Sequence, residues 1–182
     1  MASKAPSMPL IRIIPIQFVQ VEILEAILPT IAAYFRTEVI LGNLPRFDLT
    51  PYFNPVRSQY DANEIITHLD SLSAPDTKVV GVTDLDMYIP VLSYIFGQAY
   101  LGGKTAVVSG YRLYNSRYGL PEDMDLFAQR LRKCMIHELG HAFGLIHCQI
   151  PGCVMLPTTY VEEMDQKTDR MCMSCSEQLF NR

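Results

Sequence analysis

Apolar residues recur along the chain in two rhythms, and the places where the rhythm changes divide it into elements. Residues 10–18 alternate in the manner of a buried strand. Val21, Leu24, Ile27, Leu28, Ile31 and Phe35 return at helical spacing, and Pro29 inside that run predicts a kink or a split into two helices. A short strand is expected at 38–41, and the proline-interrupted stretch 42–55 reads as loop. A second amphipathic helix is expected over 58–72, with Ile65, Ile66, Leu69 and Leu72 facing inward. After a turn at 74–77, β-rich runs cover 78–82, 94–101 and 105–111, and Gly102 and Gly103 supply a turn between the last two. Pro121 opens a long helix with Glu122, Asp123 and Asp125 in its first turn, where negative charge suits the helix dipole. Leu126, Phe127, Leu131, Met135 and Ala142 form its inner face, and Gly144 is placed to stop it. The remainder reads as an irregular tail. The pattern is an α/β part followed by a small, cysteine-bearing end.

Composition narrows the classes of function. With 182 residues the chain suits one domain with its own core. Charged residues make up 19% and the net charge is −4, which speaks against a nucleic-acid binder, since phosphate binding draws on clustered positive charge. Arg12, Pro15, Glu22 and Glu25 break the longest apolar stretches well short of the ~20 residues of a membrane span. Residues 1–8 read as a flexible end. Ile11, Ile13 and Ile14 are interleaved with polar residues and proline, so no signal peptide is expected and the cytoplasm is the simplest address.

Three of the four histidines fall in one short window, His137-Glu138-Leu139-Gly140-His141, followed by Gly144 and His147. On a helix, His137 and His141 stack on one face and can aim imidazole nitrogens at one ion. Glu138 lies about 100° further round, where it can reach a water on that ion but not share the face. If the helix continued, His147 would point to the wrong side. A glycine at 144 can take positive φ, end the helix and swing His147 back as a third nitrogen. Three neutral nitrogens with an open fourth position describe a catalytic zinc site. His68 stands alone on a polar helix flank and reads as ordinary surface.

Four of the five cysteines cluster at the end of the chain. Cys148 with Cys153 and Cys172 with Cys175 form two short ligand pairs, the spacing of a closed four-thiolate zinc site that would fold a tail too poor in apolar residues to hold itself. Disulfides or free thiols are the rival. Because Cys148 follows His147 directly, the two metal sites must be neighbours. Cys134, one turn back on the long helix, reads as a small buried hydrophobe along the zinc cleft.

The run from His137 through Gly144 to His147, with Met155 where a Met-turn methionine would stand, resembles the zinc signature of the metzincin metalloproteases. The cysteine pattern around it is similar to that of the archaemetzincin family. Gly81-Val82-Thr83-Asp84, Tyr94-Ile95-Phe96-Gly97 and Ala106-Val107-Val108-Ser109 also look like that family's strands. The resemblance implies an α+β fold: a mixed, twisted sheet, an active-site helix and a small irregular, zinc-held C-terminal part. It divides a single catalytic domain, 9–182, into an upper part to about 147 and a lower part from about 148. It also implies that a peptide binds antiparallel to an edge strand near 98–101, and no inhibitory propeptide is expected.

The implied chemistry is peptide-bond hydrolysis. His137, His141 and His147 hold a catalytic zinc that activates water, Glu138 acts as general base, and Met155 packs beneath the metal. Two zinc ions per chain, one catalytic and one structural, are expected, in a monomer that meets peptide or protein substrates and neither nucleic acid nor membrane. Two alternatives stay open: a latent, zinc-folded peptide-binding module, and a zinc sensor built on the four thiols.

Overall fold

The computed structural model describes residues 8–43 and 47–181. Strand β1 (Leu10–Pro15) leads through helix α1 (Val21–Phe35) to β2 (Val39–Leu41). Two short strands, β3 (Phe53–Asn54) and β4 (Gln59–Asp61), precede helix α2 (Ala62–Ser71). Then come β5 (Thr77–Thr83), β6 (Met87–Ile89), β7 (Leu92–Ile95), β8 (Gly97–Ala99) and β9 (Thr105–Ser109). The long helix α3 (Met124–Ala142) follows, with α4 (Val161–Gln166) and α5 (Met173–Phe180) beyond it.

The main sheet has the order β2-β1-β5-β9-β8. Its first four strands run parallel and β8 returns antiparallel to β9, pairing Gln98 with Val107. β5 and β9 are buried on both faces, which is why they read as continuous apolar runs. On one face Val80, Val82 and Val108 pack with Leu24, Ile31 and Phe35 of α1 and Phe127, Leu131 and Met135 of α3. On the other, Val79 and Val107 pack with Ile65, Ile66 and Leu69 of α2. β8 is left as a sheet edge beside the end of α3, starting one residue before the expected 98–101 and ending at Ala99. A smaller sheet, β3-β4-β6-β7, adjoins it. The α+β class with a mixed sheet stands.

Several expectations are corrected. Pro29 does not split α1, because Pro29 and Glu25 both lie on the exposed side and the carbonyl that loses its amide partner faces solvent. Helix α2 starts at 62 and not 58, since the Asp61 side chain accepts from the Asn63 amide and caps it. Residues 59–61 pair instead with β6, and Leu72, expected inside, is exposed at the helix end. The run 94–101 is two strands in two sheets, divided at Phe96. Pro121 lies outside α3, whose cap is Asp123 accepting from Leu126 N at 2.9 Å. Part of the expected loop 42–55 is the strand β3, while 44–46 and the expected flexible residues 1–7 lie outside the described residues.

The tail is neither wholly irregular nor poor in core. It contains two helices, and Val154, Met155, Val161, Met164 and Leu179 are buried in the same cluster as α3. Arg130 of α3 grips Asp165 with two bonds of 2.7 and 2.6 Å, and Lys133 donates to Met164 O at 2.9 Å. Among the described residues no helix is long and apolar enough to cross a membrane.

Candidate active site

The last turns of α3 carry His137, Glu138 and His141, and the way the helix ends decides the rest. Gly144 adopts φ +87°, the left-handed conformation that a Cβ disfavours. Its amide donates to His141 O at 2.7 Å, and Leu145 N donates to Gly140 O at 2.9 Å. The end of the helix is also fixed from outside. Gly102 N of the β8–β9 turn donates to His141 O at 2.9 Å, and the Lys78 ammonium donates to Ala142 O at 2.8 Å, where positive charge suits the helix dipole.

The reversed chain brings His147 back to the other two rings. Ring centroids lie 4.7 Å apart for His137 and His141, 4.8 Å for His141 and His147, and 5.3 Å for His137 and His147. The Nε2 atoms of His137 and His141 are 3.1 Å apart. Four ligands at zinc–nitrogen bond lengths stand about 3.3 Å apart at tetrahedral corners. Backbone carbonyls hold the two Nδ1 atoms: Val154 O lies 2.8 Å from His137 and Leu145 O 2.7 Å from His141. A carbonyl can only accept, so each Nδ1 carries the proton and each Nε2 keeps its lone pair. Burial lowers the His137 pKa to about 3 and depresses those of His141 and His147 as well, which keeps the rings neutral. The donor set fits a divalent transition metal.

Glu138 is 7% exposed, beneath the edge strand. Burial pushes its carboxyl up to about 8, with the Lys167 ammonium pulling the other way. Gly97 of β8 lies directly against it: a Cβ there would come 2.7 Å from Glu138 Cγ and 2.8 Å from Oε1. Met155 is fully buried with its sulfur against Gly140, one residue from His141, so closely that a Cβ at 140 would overlap it.

The four thiols gather next to this cluster. Cys148 and Cys172 sulfurs are 3.7 Å apart and those of Cys153 and Cys175 3.9 Å, far beyond a bonded pair. Tetrahedral thiolates at zinc–sulfur bond lengths have edges of about 3.8 Å. Amide donors at 3.3 Å, from Ile150 to Cys148 and from Cys172 to Cys153, complete the knuckles. Cys148 N also donates to Met155 O at 2.9 Å, so the two clusters share backbone.

A cleft of about 690 Å³ opens over the histidines, between the β7–β8 segment and residues 157–160. Tyr94 Oη donates to Thr159 O at 2.8 Å and fastens the two walls. The profile of peptidase family M54 matches residues 25–181. The chain belongs to peptidase family M54, the archaemetzincins. It is 39% identical to the archaemetzincin of Methanocaldococcus jannaschii over 76% of each chain, and 34% identical to that of Pyrococcus furiosus over 95% of this chain and 93% of the other. Among solved structures, a zinc-dependent peptidase from Methanocorpusculum labreanum superposes with a TM-score of 0.85 at 31% identity, over 93% of this chain and 99% of that one. The archaemetzincin of Archaeoglobus fulgidus gives 0.78 at 31% identity over the same shares. The chain is thus a zinc metallopeptidase.

The archaemetzincin site therefore gathers His137, Glu138, His141, His147 and Met155 in one place and Cys148, Cys153, Cys172 and Cys175 in another. Cys134 is buried at the cleft wall, its sulfur 3.5 Å from that of Met164, and burial pushes the thiol up to about 12. His68 is not ordinary surface. It is half-buried, stacked 4.6 Å from the Phe47 ring and hydrogen-bonded to the Tyr52 hydroxyl, because the 47–52 segment folds over α2. Sequence reasoning missed Gly97, the orienting carbonyls of Leu145 and Val154, and Lys167. Glycine at the edge strand next to the motif was a usable signal, whereas Lys167 was hidden in a polar stretch. Gly97→Ala should lower kcat/KM by about 10²-fold through displacement of Glu138. The cost in stability should be about 1–3 kcal/mol, read from thermal unfolding beside the kinetics.

Proposed function

We propose that this archaemetzincin hydrolyses peptide bonds at the histidine cluster, with an extended substrate segment laid along the open edge of β8. His137, His141 and His147 would hold the catalytic zinc, and Cys148, Cys153, Cys172 and Cys175 the structural one. The observation that carries this is the pair of Nδ1–carbonyl bonds, which frees the Nε2 lone pairs of His137 and His141 3.1 Å apart, with a His147 ring nitrogen within 4.8 Å of them and Glu138 lining the same cleft. When bound, zinc supplies Lewis acidity, acidifying water and polarising a carbonyl oxygen.

The residues of the chain do the rest. Glu138 takes the proton of the attacking water and hands it to the leaving amine, so one carboxylate serves as base and then as acid. Its burial beneath Gly97 keeps the proton from exchanging with bulk solvent between the two steps. Met155 gives the histidines an apolar floor without offering a strong donor. Gly144 positions His147. Residues 9–182 act as one catalytic unit, and since the cleft and both clusters come from one chain, a monomer suffices. Four reduced thiols suit a reducing compartment such as the cytoplasm.

The test is digestion of a random peptide library by zinc-replete protein, by protein stripped of metal with a chelator, and by the stripped protein after zinc is restored. Cleavage should vanish on stripping and return with zinc. Turnover that is indifferent to the metal would remove the proposal.

A further inference from the structure

Lys167 lines the cleft, interacts electrostatically with Glu138 and Cys134, and is 5% exposed. Its Nζ donates to Val154 O at 3.1 Å and Leu156 O at 2.9 Å. An ammonium has three donors, so these two carbonyls leave one unused. Among the described residues no carboxylate stands within ion-pair distance of it. Its hydrogen bonds thus go only to neutral carbonyls, with Glu138 as a carboxylate acting on it from beyond ion-pair distance, and a directly bonded anion would lower the cost of burying the charge. A second, independent group points the same way. Thr158 Oγ1 is buried without a hydrogen-bond partner, and Thr158 lines the same cleft as Lys167, together with Cys134, Met164 and Pro157.

Lys167 and Thr158 are thus two groups with unused hydrogen-bonding capacity on the lining of one cleft. A carboxylate can accept from an ammonium and a hydroxyl at once, and charge-assisted bonds are strong where water is excluded. Lys167 acts electrostatically on Glu138, the group that in the hydrolysis proposed above delivers its proton to the leaving amine. A side chain that meets Lys167 on the side of Glu138 belongs to the residue that follows the cleaved bond. We propose that the two groups form one recess of the cleft that selects peptides with aspartate or glutamate immediately after the scissile bond, with Lys167 as the specificity-determining cation and Thr158 as its hydroxyl partner. The assignment rests on the hydrolysis proposed above for its direction along the peptide.

Binding tests it apart from turnover. Two zinc-chelating hydroxamates that differ only in a carboxyethyl or a carbamoylethyl side chain next to the chelator mimic glutamate and glutamine at that position. Calorimetric titration of the zinc-loaded full chain should show the acid bound roughly tenfold or more tightly than the amide. Lys167→Met should bring the two within about twofold, and Thr158→Val should cut the preference to about threefold. Equal affinities in the unaltered protein overturn the proposal. So does a Lys167→Met protein that weakens both probes alike, which makes the lysine only a clamp on the 154–156 backbone. If Lys167→Met does not fold, an unchanged ratio in Thr158→Val overturns it. Peptide cleavage measured in parallel separates the two readings. Acid preference in binding without any cleavage removes the hydrolysis and keeps the receptor, whereas cleavage without acid preference does the reverse.

Discussion

Glu138→Gln protein should cleave peptides about 10²–10⁴-fold more slowly than the unaltered chain while holding the same zinc. The substitution keeps shape and hydrogen-bonding capacity but removes the group that accepts the proton. Stability should not fall with activity. Burial raises the Glu138 pKa, so the ionised form is the one the fold disfavours, and a neutral amide lifts that penalty at neutral pH and above. The informative measurement sets steady-state rates on one peptide beside zinc content and thermal unfolding of both proteins. A parallel loss of zinc and rate would mean that the carboxylate holds the site together and does not perform the chemistry.

Cys175→Ser should do the opposite, attacking the fold first. Cys175 is buried, its sulfur closes one edge of the thiol cluster, and the backbone of that cluster reaches Met155 and His147 within a few residues. Losing a structural metal is among the changes that cost more than about 4–5 kcal/mol, much of the roughly 5–15 kcal/mol that holds a domain folded. The tail has other anchors: the Arg130–Asp165 pair, and the Tyr34 hydroxyl accepting from Met171 N at 2.7 Å. Retention of part of the tail's structure is therefore expected, with a lowered melting temperature and reduced peptidase activity together. Zinc should fall from two ions per chain to one or fewer. Full activity with only one zinc bound would show that the two clusters are independent.

The sequence carried the chemistry because that chemistry is local. His137 and His141 sit one helical turn apart, Glu138 is next to the first, and Gly144 breaks the helix at the point where His147 can return. Each relation is a matter of a few residues of known geometry. The cysteine spacings have the same character. What misled the reading was context between distant segments. An apolar run at 94–101 gives no sign that it changes sheets at Phe96, because both halves alternate alike and only their partners differ. Pro29 reads as disruptive because the general rule against proline inside a helix takes no account of the freed carbonyl lying on the side opposite the apolar stripe, where water can satisfy it. His68 looked exposed because the aromatic residues that cover it come from another segment.

The chain by itself determined which residues can bind metal, in what order, and where the helix must stop. These follow from backbone geometry over short range. Only the tertiary structure decided that Gly97 presses on Glu138, that Val154 O orients His137, and that Lys167 reaches the cleft with a donor to spare. Those contacts join residues far apart in sequence, and they arise from packing β8 and the tail against one helix. Packing of that kind leaves no period or spacing in the sequence to be read.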